Sequence, residues 1–280
     1  MKTTAALPRP RTPEGRYGLA ALIREPARAL VALDFDGTLS PIVADPDAAR
    51  AHPAAAPALR KLARVIGTLA IITGRPAAVA VKLGGFSEIP GLIVLGHYGW
   101  ERWQDGTLTS PPSPPGVAAA RAELPRVLAG APEGTWAEDK GNAVAVHTRR
   151  AAHPQDALDA LRGPLDALAA RTGLTVEPGR LVIELRPPGT DKGTALYTLV
   201  TQRSPGSVTF CGDDLGDAAA FGAVRALRAS GIRGLTVCSG SPETAPELAA
   251  EADLVVDGPD GIVALLDGLA AAISGGPASG

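Results

Sequence analysis

Residues 29–40 read Ala-Leu-Val-Ala-Leu-Asp-Phe-Asp-Gly-Thr-Leu-Ser. The apolar run 30–33 has the unbroken hydrophobicity of a strand buried on both faces of a parallel sheet. It stops at two carboxylates, Asp34 and Asp36, and Gly37 then lets the chain turn. In open α/β sheets, ligands bind at the carboxyl ends of the strands. A carboxylate there can attack phosphorus, and a second one two residues on can exchange a proton with the leaving group. An Asp-Gly turn after a strand is also a common structural device, so the pair alone leaves both readings open.

Outward from that strand, short apolar runs alternate with Ala/Leu-rich segments, the pattern of βαβ units. Strands are predicted at 30–33, 68–72, 92–95, 208–211, 234–238 and 254–256. Helices are predicted at 57–66, 76–83, 192–201, 217–229 and 261–271. Pro-rich runs at 110–116 and 186–189 interrupt the pattern and read as semi-rigid connectors. Between them lies an αββαββ block: helices at 117–128 and 154–172, strands at 135–138, 143–148, 174–177 and 181–185. The expected division is a core of 26–112 and 187–280, an inserted α+β cap of 113–186 acting as a lid, and a loosely attached arm of 1–25.

A chain of 280 residues has room for such a two-part fold. A net charge of −2 gives no sign of a nucleic-acid partner. No apolar run reaches the roughly 18 residues that a membrane helix needs, and the Pro- and Arg-containing first thirty residues do not read as a secretory signal. Cys211 and Cys238 fall in predicted buried strands and read as small core residues, which fits a reducing cytoplasm.

Three further stretches bear on chemistry. Ile71-Ile72-Thr73-Gly74-Arg75 ends a predicted strand, where Thr73 can donate to a phosphoryl oxygen and Gly74 leaves room for substrate. Thr190-Asp191-Lys192-Gly193 opens a helix with a lysine, against the preference of the helix dipole. An anionic ligand would explain Lys192; so would an ordinary solvated helix end. Finally, 208–217 is an apolar strand ending in Asp213, Asp214 and Asp217. Two carboxylates about 4 Å apart repel by about 4 kcal/mol at an effective dielectric of 20, so the cluster asks for a cation. Oxygen ligands beside a phosphate point to Mg²⁺.

The string Asp34-Phe35-Asp36-Gly37-Thr38-Leu39, followed in order by Thr73-Gly74, Lys192 and Gly212-Asp213-Asp214, resembles the motifs of the haloacid dehalogenase (HAD) superfamily. With Gly96-His97-Tyr98-Gly99-Trp100-Glu101, Glu138-Asp139-Lys140, His147-Thr148-Arg149 and Glu184-Leu185-Arg186-Pro187, the resemblance narrows to the trehalose-6-phosphate phosphatase family, over about 29–270. It implies an α/β, HAD-like Rossmannoid core with a parallel sheet and a C2-type cap. It implies a Mg²⁺-dependent phosphatase with Asp34 as nucleophile, Asp36 as acid and base, and Thr73 and Lys192 on the phosphoryl group. Asp36 would have to be protonated when substrate binds, and so buried or crowded by other carboxylates. The metal set implied is Asp34, Asp36, Asp213 and Asp214.

Sugar and substrate contacts are implied for Glu138, Lys140, Glu184, His147, Arg149, Gly74 and Arg75. On spacing alone Glu138 and Lys140 also fit a surface ion pair, His147 and Arg149 also fit structural supports, and His97 fits either role. The substrate implied is trehalose 6-phosphate, with a trehalose-phosphate synthase in the same pathway and a cytoplasmic monomer acting without membrane or nucleic acid. The same pattern is open to another phosphorylated disaccharide or pseudo-disaccharide, or to a non-catalytic sugar-phosphate-binding domain. The chain departs from the family after Asp214: Leu215-Gly216-Asp217-Ala218-Ala219 stands where Thr-Asp-Glu-Asp is usual, which leaves the part of Asp217 open.

Overall fold

Helix α1 (Pro13–Arg24) begins at Thr12, whose hydroxyl caps it by accepting from Gly15 N at 3.0 Å. The computed structural model describes residues 7–43, 48–179, 181–242 and 244–275. Strand β1 (Ala29–Leu33) is buried along its whole length. Leu30 and Ala32 enter one core and Val31 and Leu33 the other, as the two-residue period of a strand requires. The chain continues through α2 (Ala55–Ala63), β2 (Thr68–Ile72), α3 (Ala77–Gly84), β3 (Ile93–Gly96), β4 (Glu101–Gln104) and β5 (Thr107–Thr109).

It then crosses into α4 (Pro115–Leu128), β6 (Trp136–Asp139), β7 (Val144–His147), α5 (Pro154–Thr172), β8 (Thr175–Gly179) and β9 (Val182–Arg186). It returns as α6 (Lys192–Arg203), β10 (Ser207–Gly212), α7 (Ala218–Ala229), β11 (Arg233–Gly240), α8 (Pro246–Glu251), β12 (Leu254–Asp257) and α9 (Gly258–Ser274). The chain divides into two units, Met1–Ser110 with Asp191–Gly280, and Pro111–Thr190.

In the first unit the described strands form one sheet in the order β12-β11-β10-β1-β2-β3-β4-β5. Pairing is parallel from β12 to β3 and antiparallel for β4 and β5. Helices α1, α2, α3 and α9 cover one face, and α6, α7 and α8 cover the other. The last two strands are absent from the strands predicted from the sequence. Asp105 and Gly106 both take positive φ (48° and 79°), as a two-residue hairpin turn demands, and Gln104 pairs with Thr107 across it.

The first helix also corrects the expectation of a loose arm, whose residues 1–6 lie outside those described. Gly18 sits so close to the Gly234 carbonyl that a Cβ would overlap it. Asp253 is buried and ties the region together. It bonds Thr12 Oγ1 and Arg228 Nη2, and accepts from Thr236 N at 2.8 Å and Thr236 Oγ1 at 2.9 Å. Burial alone would raise its pKa, yet these donors together hold it below the usual carboxylate range.

A depressed folded-state pKa gives stability that is present above the unfolded value and lost as pH falls through the folded one. Asp253→Ala should therefore lower the unfolding free energy by about 3 kcal/mol at neutral pH, because it strands Arg228 and the Thr236 amide. Urea unfolding would show a lower midpoint with the slope unchanged. The deficit should shrink as the pH is taken down through the acid range.

The second unit is a four-stranded antiparallel sheet, β6-β7-β9-β8. Val144, Val146, Ile183 and Leu185 face α4 and α5, meeting Val117, Leu124, Leu161, Leu165 and Leu168. This is the αββαββ order expected. The alternate residues of the same strands occupy the other face, which carries the polar side chains Glu138, His147, Glu177, Glu184 and Arg186.

Candidate active site

The carboxyl ends of the parallel strands in the first unit carry Asp34, Thr73 and Asp213 directly after β1, β2 and β10. Asp34 is buried, and its amide is anchored on the Cys211 carbonyl at 2.9 Å. Gly37 has φ 72°, and a side chain there would overlap the Asp213 carboxylate. Glycine at this position therefore serves both the turn and the approach of the two carboxylates.

Lys192 opens α6 and is buried between two carboxylates, 2.9 Å from Asp34 Oδ1 and 2.7 Å from Asp217 Oδ1. Its place in the first helical turn is thus explained by carboxylates, not by solvent. Burial would lower its pKa, but Asp217 and Asp34 more than offset that and hold the ammonium charged. Asp217 Oδ2 accepts from the amides of Asp213 (2.9 Å) and Asp214 (3.3 Å), which shapes the acidic loop. Asp213 accepts from Thr38 Oγ1 at 3.3 Å.

One ligand atom each from Asp34, Asp213 and Asp217 lies within 4.8 Å of the others. Burial, and then the crowding of carboxylates, pushes Asp34 and Asp217 above the usual range and Asp213 up to about 8. Three acids this close cannot all ionise against one ammonium. The donor set is hard oxygen, buried and short of positive charge, and so suits a divalent cation.

The cluster differs from the expected metal set. Asp214 is exposed and caps the short turn Leu215–Asp217, while Asp217 turns inward with no measurable exposure. Asp36 is neither buried nor grouped with the cluster. Its side chain is 40 % exposed and bidentately paired with Arg75, Nε to Oδ2 at 2.6 Å and Nη2 to Oδ1 at 2.7 Å.

Thr73 is buried, and its hydroxyl oxygen accepts from Arg75 N at 3.1 Å, which leaves its hydrogen to donate elsewhere. Gly74 lies under the Tyr98 hydroxyl, where a Cβ would press on it. The loop 73–75 is held from behind by a strained turn. His97 and Tyr98 take positive φ (48° and 58°), and their amides donate to Arg75 O at 3.0 Å and Thr73 O at 2.9 Å. Non-glycine residues in that region carry a cost that surrounding structure must offset. His97 is buried 3.8 Å from Glu101, whose other oxygen caps α3 at Ala77 N (2.8 Å). It reads here as a support for the loop.

In the second unit Glu138, Ala145, Glu184 and Glu177 are register partners in one row across the sheet, on the face away from its helices. Like charges directly opposite one another destabilise a sheet, so the row needs counter-charges. Lys140 supplies one to Glu184 at 2.5 Å, Arg186 one to Glu177 at 2.6 Å, and His147 Nε2 lies 2.8 Å from Glu138. Lys140 thus pairs across the sheet with Glu184. Trp136 stacks on His147 at 4.7 Å, with Arg150 over its ring at 4.4 Å. Arg149 is exposed in the turn after β7, and it is Arg150 that joins this stack. Trp136 and Glu177 were not singled out from the sequence, and Arg186 was quoted only as part of the string 184–187, with no role. The alternation of polar residues along β8 and β9 is the signal that could have found the last two.

A family model described as trehalose-phosphatase matches residues 32–252, which spans both units. The chain belongs to the trehalose-phosphatase family. A trehalose-phosphate phosphatase of Mycobacterium leprae is 38% identical over 224 residues, covering 75% of this chain and 50% of that protein. The chain thus spans about half the length of such curated relatives. A solved trehalose-6-phosphate phosphatase of Aspergillus fumigatus superposes with a TM-score of 0.67 at 26% identity, covering 94% of this chain and 99% of that one. A haloacid dehalogenase-like hydrolase from Bacteroides thetaiotaomicron superposes at 0.64 with 14% identity, over 85% and 98% of the two chains, which shows a shared fold. Among the described residues no helix of this family member is long and apolar enough to cross a membrane.

Proposed function

We propose that the chain hydrolyses trehalose 6-phosphate to trehalose and phosphate, with the phosphoryl group passing through Asp34. The observation that carries this reading is a buried carboxylate at the end of β1, held by a buried ammonium 2.9 Å away and backed by further acids. A carboxylate so placed is a nucleophile for phosphorus.

Asp34 attacks phosphorus, and the bond from phosphorus to the sugar oxygen breaks. Asp36, protonated for this step, gives its proton to the departing oxygen. A water then attacks the phosphorus of the aspartyl phosphate, Asp36 takes the water's proton, and Asp34 is restored. Lys192 offsets negative charge on the phosphoryl oxygens, and the Thr73 hydroxyl donates to one of them. Asp217 has both oxygens engaged, on Lys192 and on two amides, so Asp34 and Asp213 are the pair to hold Mg²⁺. When bound, that ion supplies positive charge to the phosphoryl oxygens.

The polar face of the second unit supports a sugar as the alcohol. Glu138, Lys140 and Glu184 offer charged donors and acceptors, already oriented by their pairing, to the hydroxyls of a polyol. Glu184→Ala should raise KM for the disaccharide phosphate about ten-fold or more, since it removes a charge-assisted bond and the carboxylate that orients Lys140. Hydrolysis of a small aryl phosphate should stay within about two-fold; equal loss on both substrates would contradict the sugar-reading role. We take the reaction to be cytoplasmic and carried out by a monomer on the product of a trehalose-phosphate synthase. The small net charge of −2 supports the absence of a nucleic-acid partner. The substrate itself is tested by phosphate release from trehalose 6-phosphate beside sucrose 6-phosphate and glucose 6-phosphate. A site built on hydrogen bonds to hydroxyls should prefer the first by about two orders of magnitude in kcat/KM.

A further inference from the structure

Among the described residues, Lys192 and Arg75 are cations paired with acids at the carboxyl end of the sheet, and they are held differently. Lys192 is buried between Asp34 and Asp217. Arg75 has its backbone anchored on both sides, its amide on Thr73 Oγ1 (3.1 Å) and its carbonyl on His97 N (3.0 Å), so its side chain is the movable part. The guanidinium lies 5.6 Å from the Phe35 ring centroid and closes a two-toothed pair on Asp36. Both Asp36 oxygens are thereby occupied, although this carboxylate must meet the departing sugar oxygen. The pair is open to solvent on the Asp36 side, with side-chain exposures of 15% for Arg75 and 40% for Asp36, so a solvent-borne anion can reach it.

We propose that Asp36 and the substrate's phosphoryl group compete for the Arg75 guanidinium. In the resting protein Arg75 latches Asp36 as a carboxylate; an arriving phosphate dianion takes the guanidinium and leaves Asp36 free to take a proton from water and pass it to the leaving group. Phosphate oxygens match the planar fork of an arginine as well as a carboxylate does, and with more charge. A sugar without phosphate has nothing to open the latch, so the acid is released when a phosphoryl group is present to use it. This inference rests on the phosphatase reading and deepens it.

The test is a double-mutant cycle read by calorimetric titration with inorganic phosphate, at fixed Mg²⁺ and ionic strength, on the parent, Asp36→Asn, Arg75→Ala and the double variant. Asp36→Asn should bind phosphate about five- to ten-fold more tightly, because the carboxylate that competes for Arg75 is gone, and Arg75→Ala about ten-fold or more weakly. In the Arg75→Ala background, Asp36→Asn should change binding by less than about two-fold. Arg75→Lys, which keeps the charge but not the fork, should fall between the parent and Arg75→Ala, and it serves if the alanine variant does not fold. Two results would overturn the latch: an Asp36→Asn effect of equal size in both backgrounds, or phosphate binding indifferent to Arg75. Absence of measurable phosphate binding in every variant would overturn it as well. Turnover of trehalose 6-phosphate by the parent, measured alongside, reports on the phosphatase reading separately.

Discussion

Asp34→Asn is expected to lose turnover by about four orders of magnitude or more while leaving the metal-free fold at least as stable as the parent. The first half follows from the role of the carboxylate. An amide is a poor nucleophile toward phosphorus, and Lys192 and Thr73 cannot supply the missing bond. The second half follows from the electrostatics. Burial, with Asp217 and Asp213 close by, holds Asp34 above the usual carboxylate range despite Lys192.

A group whose folded-state pKa is raised gives stability that is complete below its unfolded value and is lost as pH rises through the folded one. At neutral pH an ionised Asp34 therefore strains the fold, and the neutral amide relieves that strain. Lys192 keeps Asp217 as its partner. Thermal unfolding without divalent cations should place the variant level with or above the parent, with a gap that widens as pH rises. A variant that is inactive and also several degrees less stable would instead mark Asp34 as a structural residue. Nucleophiles kept at the expense of stability are a common feature of active sites.

Chelation is expected to have the next largest effect: EDTA should remove turnover, and Mg²⁺ should restore it with release of protons. Asp34, Asp213 and Asp217 crowd together, with Asp213 pushed up to about 8 by burial and its neighbours, so at pH 7 the cation-free cluster retains protons. A divalent cation needs ionised oxygens and must displace them. Calorimetry of Mg²⁺ binding in buffers of different ionisation enthalpy would count the protons, and the release should fall away above pH 8.

The same shift predicts that the cation-free protein loses stability as pH rises from the acid range through about 8. A Mg²⁺ concentration of about 100 times its Kd should restore about 2.7 kcal/mol. Binding without proton release, or full activity in EDTA, would contradict the assignment of the cluster.

The inner core strands were legible because β1, β2, β3 and β10 are apolar runs buried along their whole length, and Asp34, Lys192 and Asp213 were legible because chemistry follows directly at strand ends. The misreadings have a common cause: each depends on which way one residue turns. Asp213, Asp214 and Asp217 lie within five positions, and a single short turn at Leu215–Asp217 sends Asp217 inward and Asp214 outward. Spacing does not reveal that rotation. Asp36 was expected to be buried, but its fate is decided by Arg75, thirty-nine positions on, which takes both of its oxygens. The docking of α1 rests on Gly18 against Gly234, two glycines unremarkable in their own segments. The hairpin of β4 and β5 is different. Asp105-Gly106 is a strong local signal, and the prolines that follow obscured it. In the second unit the strands were readable by period, but Lys140 lies just past the end of β6 and reaches Glu184 on β9, a cross-strand partner that spacing along one strand does not reveal.

The central claim is that trehalose 6-phosphate hands its phosphoryl group to Asp34. Its most direct test is to mix the parent protein with trehalose 6-phosphate and Mg²⁺, quench in acid within the first turnover, and locate added phosphoryl mass by peptide mass spectrometry. The expected result is one phosphoryl group on the peptide containing Asp34, forming and decaying in step with the release of trehalose and then phosphate. Release of phosphate with that peptide unmodified throughout, or with the phosphoryl group on another residue, would contradict it.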